Sequence, residues 1–307
     1  MKCLITGGAG FIGSHLVDGL IEEGHEVLVV DNLSTGKEEN LNPKAKFYKV
    51  DICQPKISEI FADEKPEIVF HYAAQTEIQK SIESPKENAE INILGTLNIL
   101  ENAKKFRVKK VVFASSVAIY GEPAYLPVKE THSLNPISPY PITKLVVEKY
   151  LSYYQSLGLD FVSLRYPNIY GPRQLSTGEG GVVSIFIDTL LKGKTPVIYG
   201  DGEQTRDFLY VADAVEATIS VLKAPLGSVY NVGTSKETSI NELYRLISQG
   251  TKSNLQPERV QSRFGEIRKS CLDYSKIKKE LGWEPNYRLK DGLKETIDWF
   301  KNNLYGK

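Results

Sequence analysis

Short apolar runs and longer helical periods take turns along the first half of the chain. Cys3–Thr6, Glu26–Val30, Lys46–Val50, Glu67–His71 and Lys110–Ala114 each predict a short strand, most of them buried. Between them, Ser14–Glu23 carries Leu16, Val17, Leu20 and Ile21 at helical spacing. Ile57–Asp63 predicts a short helix. Pro85–Phe106 predicts a long one through Ile91, Leu94, Leu97, Ile99 and Leu100. Strands alternating with helices predict a doubly wound parallel sheet covered on both faces, an α/β fold of the Rossmann kind. Beyond it, a helix is expected from about Ser138 to Ser156 and another over Val182–Leu191. Pro167–Gly181 reads as loop, and Ser228–Gly233 as a strand returning to the first lobe. The expected division is discontinuous: residues 1–167 and 207–233 form a dinucleotide-binding lobe, and 168–206 with 234–307 form a smaller α/β substrate lobe.

Composition narrows the class of partner. The 307 residues include 38 basic and 38 acidic side chains, with no block of like charge, so neither nucleic acid nor a membrane surface is expected. No apolar run approaches the roughly 20 residues that span a bilayer. The N-terminus enters the first strand without the basic and apolar regions of a signal peptide, so a cytoplasmic protein is expected. Cys3, Cys53 and Cys271 are scattered, as are the four histidines; neither set predicts a disulfide framework or a metal site.

Candidate chemistry gathers at the predicted strand ends. Gly7, Gly10 and Gly13 follow the first strand and open the first helix. A dinucleotide needs that arrangement: a tight turn, a close approach of backbone to pyrophosphate, and a helix N-terminus offering N–H groups. Asp31, with Asn32 behind it, stands about 20 residues beyond the turn, where a carboxylate bonds the ribose hydroxyls and repels a 2′-phosphate. This argues for NAD over NADP. Ala73 and Ala74, before Gln75, are small enough for a cofactor to pass close to the backbone. Tyr140 and Lys144 lie four apart, on one helical face. A free tyrosine has a pKa of about 10, and a neighbouring ammonium lowers it toward the range of a working base. Ser116 could bond the same substrate oxygen. Pro141 suits a first helical position, which would leave Tyr140 extended, like a cap.

These motifs together resemble the extended short-chain dehydrogenase/reductase family, within the nucleotide-sugar group typified by UDP-glucose 4-epimerase. The resemblance runs through T-G-G-A-G-F-I-G at 6–13, D-N at 31–32, D-I at 51–52, Y-A-A-Q at 72–75 and N-I-L-G-T at 92–96. It continues through S-S-V-A-I-Y-G at 115–121, Y-x-x-x-K at 140–144, R-Y-P-N-I-Y-G-P-R at 165–173, G-D-G-E-Q-T-R-D-F at 200–208 and R-F-G-E-I-R at 263–268. It implies NAD contacts at Gly7, Gly10, Phe11, Ile12, Gly13, Asp31, Asn32, Asp51, Ile52, Ala73, Ala74, Gln75, Asn92, Tyr140, Lys144 and Tyr166. It implies catalysis by Ser116, Tyr140 and Lys144. Asn168, Arg206 and Arg263 would meet a UDP diphosphate or its neighbourhood, Glu266 the uridine ribose, and Ser270 would gate the size of the hexose. Val182-Val183 departs from the Asn-Leu pair of many epimerases, and Thr76 from a lysine that some members carry there.

The group's reactions share the formation of a 4-keto sugar. Dehydratases and decarboxylases then need acidic groups just after the serine, whereas this chain has Val117 and Ala118. The expected reaction is therefore NAD-dependent C4 epimerisation of a UDP-hexose, N-acetylated forms included because Ser270 is small. The alternatives are a UDP-glucuronate 4-epimerase, with Arg173 meeting the carboxylate, a 4,6-dehydratase or a net oxidoreductase. The resemblance also implies a homodimer through helices around 88–104 and 140–156, using Ile91, Leu94, Val147 and Tyr150.

Overall fold

Strand β1 (Lys2–Thr6) is almost wholly buried because both of its faces are apolar, and it takes an interior place in a seven-stranded parallel sheet. The structure is a computed structural model that describes residues 1–177, 180–262 and 267–305. In chain order, α1 (Phe11–Glu22), β2 (Glu26–Asp31), β3 (Lys46–Lys49), α2 (Ile57–Glu64) and β4 (Ile68–His71) follow. Next come α3 (Ile78–Glu83), α4 (Pro85–Ala89), α5 (Thr96–Lys105), β5 (Lys110–Ser116), α6 (Pro139–Ser156) and β6 (Asp160–Tyr166). The second half adds β7 (Asn168–Tyr170), α7 (Val182–Leu191), β8 (Val197–Tyr199), β9 (Thr205–Arg206), β10 (Phe208–Tyr210) and α8 (Val211–Ser220). The chain ends with β11 (Ser228–Asn231), β12 (Thr238–Ser239), α9 (Ile240–Thr251), β13 (Glu258–Val260), α10 (Ser275–Leu281) and α11 (Leu289–Phe300).

The main sheet has the order β11-β6-β5-β4-β1-β2-β3. Alternate residues feed opposite faces: Cys3 and Ile5 join one apolar cluster, Leu4 the other. The chain runs outward from β1 to β3, then crosses back to place β4 on the other side of β1. That reversal leaves a crevice at the carboxyl ends of β1 and β4, where open α/β sheets bind ligands. Three two-stranded sheets, β10-β7, β12-β9 and β13-β8, lie outside the main sheet.

Three local expectations are corrected. The long helix over 85–106 is interrupted by a π-helical turn at Glu90–Gly95, in which buried Asn92 is drawn to Gln75 and Thr143. Helix α6 begins at Pro139, so Tyr140 is helical and not an extended cap. Both prolines fit within the first turn, whose N–H groups lack helical partners anyway. The stretch Pro167–Gly181 is not all loop, since β7 pairs with β10. Its pairing partner lies about 40 residues away in the chain, beyond the reach of a local pattern.

Candidate functional site

A cleft of about 470 Å³ opens over the carboxyl ends of β1 and β4. Gly7, Gly10, Phe11, Ile12, Gly13, Asp31, Asn32, Asp51, Ile52, Ala73, Ala74 and Gln75 all line it. The glycines are needed for space. Gly7 has φ +73°, and a Cβ there would lie 2.7 Å from the Ala73 nitrogen. A Cβ on Gly13 would strike the Gly7 carbonyl. Asp31, at the end of β2, accepts the Ala9 N–H at 3.0 Å and the Leu33 N–H at 2.8 Å. Burial raises its carboxyl, and these two N–H groups oppose the rise. Asp31 therefore braces the glycine turn as well as presenting a carboxylate to the cleft. Burial also pushes Asp51 upward, but the Cys53 N–H and the Asn32 amide outweigh it and hold Asp51 below the usual carboxylate value.

Beneath the cleft, buried His71 shares hydrogen bonds with Thr6 Oγ1 at 2.7 Å and Thr96 Oγ1 at 2.8 Å. Thr6 Oγ1 also accepts the Ala73 N–H. Burial first, and the charge of Lys144 second, depress His71 to about 3, so its ring is neutral at ordinary pH. Asn92 does not line the cleft: it accepts the Gln75 N–H and donates to the Gln75 carbonyl and Thr143 Oγ1. It holds the cleft wall to α6. The Tyr166 side chain also points elsewhere, its hydroxyl sharing a buried cluster with Tyr72 and Thr218 at 2.7 and 2.5 Å.

Ser116, Tyr140 and Lys144 stand past the cleft lining, around the end of β5. Lys144 is buried and its ammonium donates to the Ala114 carbonyl at 2.8 Å. It lies 4.8 Å from the Phe113 ring centroid and 5.8 Å from that of Tyr140. Ser81 Oγ accepts the Tyr140 N–H at 3.2 Å, which ties α3 to the first turn of α6. Ser116 Oγ accepts the Ala118 N–H at 3.2 Å and so caps a 3₁₀ turn over Val117–Tyr120. The arrangement places a phenol near a fixed cation, with a serine one strand end away.

The substrate candidates are less uniform. Asn168 sits in β7 and Arg206 in β9, where Arg206 donates to the Thr205 carbonyl at 2.8 Å. Ser270 is buried, and its Oγ has no hydrogen-bond partner among the described residues. Arg263 and Glu266 lie outside the described residues. Arg268 forms a two-pronged pair with Asp201, both contacts at 2.8 Å. Arg173 lines the cleft, and its guanidinium lies 2.8 Å from the Asp18 carboxylate. Of the expected contact residues between copies, Leu94 is 59% exposed and Tyr150 37%, whereas Val147 is 1% exposed and belongs to the core.

Sequence reading missed several lining residues. Thr35, Gly36 and Asn40 follow the D-N pair, and the Asn40 amide reaches the Ala9 carbonyl. Lys80 and Glu87 face the cleft from α3 and α4 and pair at 2.9 Å. Arg173, Gln174 and Leu175 come from the second half of the chain. His15 donates to the Pro172 carbonyl at 3.0 Å and, with Asp18, moors that segment to α1. The close approach of Gly7 to Ala73, a braced acidic strand end and the cleft above them together fit a dinucleotide.

A family model described as the NAD dependent epimerase/dehydratase family matches residues 3–233. The chain is 41% identical to the UDP-glucose 4-epimerase of Mycolicibacterium smegmatis, over 98% of this chain and 99% of that protein. It is similar to the UDP-glucose 4-epimerase of Thermotoga maritima solved with UDP-glucose, at 46% identity and a TM-score of 0.97, covering 99% and 100% of the two chains. The Thermus thermophilus UDP-glucose 4-epimerase solved with NAD gives 40% identity and a TM-score of 0.94, over 99% of this chain and 100% of that one.

Proposed function

Since the chain belongs to the NAD dependent epimerase/dehydratase family, we propose that it is a UDP-glucose 4-epimerase, an isomerase that interconverts UDP-glucose and UDP-galactose. Its cofactor is NAD. The chemistry that NAD supplies when bound is reversible hydride acceptance at C4, which allows a transient 4-keto sugar. Everything else falls to the chain. The Gly7–Gly13 turn and Asp31 hold the dinucleotide. Tyr140, as phenolate beside the Lys144 ammonium, takes the proton from the sugar O4, and Ser116 orients that oxygen. The same proton returns to O4 when the sugar has turned its other face.

The observation that carries epimerisation, as against elimination or decarboxylation, is the turn after Ser116. Val117 and Ala118 fill it and offer no acid or base. Supplying UDP-glucose and UDP-galactose separately should give the same equilibrium mixture with no accumulation of NADH absorbance. Stoichiometric NADH, or a dehydrated or decarboxylated product, would refute the assignment.

The discontinuous division into a cofactor lobe (1–167, 207–233) and a sugar-nucleotide lobe (168–206, 234–307) supports Asn168, Arg206, Arg263, Glu266 and Ser270 as substrate residues. Buried Ser270, being small, supports acceptance of N-acetylated hexoses, and absence of turnover with UDP-N-acetylglucosamine would refute it. A cytoplasmic homodimer completes the proposal. Exposed Leu94, Tyr150 and Tyr153 support the second copy. No helix among the described residues is long and apolar enough to cross a membrane.

A further inference from the structure

Asp207 lies between β9 and β10 with no exposed surface, and the proton transfers above leave it unused. Its carboxylate accepts the Thr234 hydroxyl at 2.6 Å, the Thr234 N–H at 3.1 Å and the Leu272 N–H at 3.2 Å. Its own carbonyl accepts the Asn168 N–H at 3.1 Å. Three separate segments thus converge on one residue. The fit is close: a Cβ on Gly233 would stand 2.6 Å from Asp207 Oδ2 and 2.9 Å from Leu272 Cβ.

Two of these segments, and that of Asp207 itself, carry substrate candidates. Arg206 directly precedes Asp207, Asn168 is bonded to its backbone, and Ser270 lies two residues before Leu272. The Leu272 segment also reaches the catalytic loop. Leu272 bridges Val128, whose N–H donates to the Cys271 carbonyl at 2.8 Å and whose carbonyl accepts the Asp273 N–H at 2.8 Å. Val128 belongs to the chain between Ser116 and Tyr140. Burying a carboxylate is costly unless it is well bonded. Only a carboxylate accepts on both oxygens without a donor of its own, so an amide of the same shape would turn one N–H pair toward other N–H groups.

We propose that Asp207 is the positioning residue of the sugar-nucleotide pocket, holding the Arg206, Asn168 and Ser270 segments at a fixed spacing from one another. This rests on the reading of those residues as substrate ligands. Its effect falls on substrate binding and leaves cofactor and proton transfer intact.

The test uses the purified holoenzyme and an Asp207→Asn variant. The variant is expected to keep its full NAD content, to raise KM for UDP-glucose about tenfold and to keep kcat within about threefold, the pattern of lost uniform binding. A folded variant with unchanged KM, or one that loses kcat at unchanged KM, overturns the proposal. Thr234→Val keeps the backbone N–H and the side-chain volume but removes the hydroxyl. It should raise KM about threefold. If Asp207→Asn does not fold, an unchanged KM in Thr234→Val overturns the proposal by itself. Calorimetry with UDP separates the two levels. A wild-type enzyme that binds no UDP refutes the functional reading and the proposal with it. UDP bound equally by wild type and Asp207→Asn refutes only the role of Asp207.

Discussion

The Lys144 ammonium lies 5.8 Å from the centroid of the Tyr140 ring and is pinned by the Ala114 carbonyl at the end of β5. A helix and a strand thereby fix one cation beside one phenol. Tyr140→Phe removes the proton acceptor and keeps the ring. Turnover should fall by about 10²- to 10⁴-fold with NAD content unchanged. Near-normal turnover would reject Tyr140 as the base. Lys144→Met should lower kcat and move the acid limb of its pH profile upward, because only the phenolate accepts the proton and a phenol without a neighbouring ammonium ionises at about pH 10.

Asp31 both faces the cleft and receives the Ala9 and Leu33 N–H groups. Asp31→Ser removes the charge that repels a 2′-phosphate and also loosens the glycine turn. NAD affinity should fall, and the preference for NAD over NADP should drop by about tenfold or more. Equal discrimination in variant and wild type, measured by titration of both cofactors, would remove Asp31 from that role.

His71 predicts an acid-side loss of stability. The unfolded chain protonates this histidine near pH 6.5, the folded chain only near 3. The unfolded state therefore binds more protons between those values, and stability falls as pH drops through them, by about 1.4 kcal/mol per pH unit at most. Asp207, pushed up to about 6 by burial, works in the opposite direction between about pH 4 and 6. Comparison with His71→Asn isolates the histidine. The urea midpoint of the variant should change less between pH 7 and pH 4 than that of the wild type, and parallel curves would contradict the assignment.

Arg165 and Glu148 form a buried pair at 2.7 Å, with a second contact from Nε at 3.1 Å. Glu148 lies one turn beyond Lys144 on α6, so the pair also anchors α6 to β6. Glu148→Gln leaves a buried guanidinium without its counter-charge and should cost about 3 kcal/mol. A urea-derived loss below about 1 kcal/mol would show the pair to be dispensable.

Local chemistry made much of this molecule legible. The apolar runs for β1, β2, β4 and β5 needed no partner to be recognised, because strands buried on both faces are apolar throughout. Gly7 to Gly13 and Tyr140 to Lys144 are each contained in a single turn or helix face, so spacing alone brings their atoms together. Residues that act across distance were not legible. Asn92 points inward only because a π-helical turn lets it meet Gln75 and Thr143. Arg173 reaches the cofactor cleft through its tie to Asp18, more than a hundred residues earlier in the chain. Asp207 looked like one member of a motif until folding set Thr234, Leu272 and Asn168 around it. By itself, then, the sequence determined the α/β class, the cofactor turn and the tyrosine–lysine pair, each specified by short-range periodicity and backbone sterics. The tertiary structure alone decided which side chains line the cleft, which stand behind it and which hold the second lobe in place, because those roles depend on contacts between segments far apart in the chain.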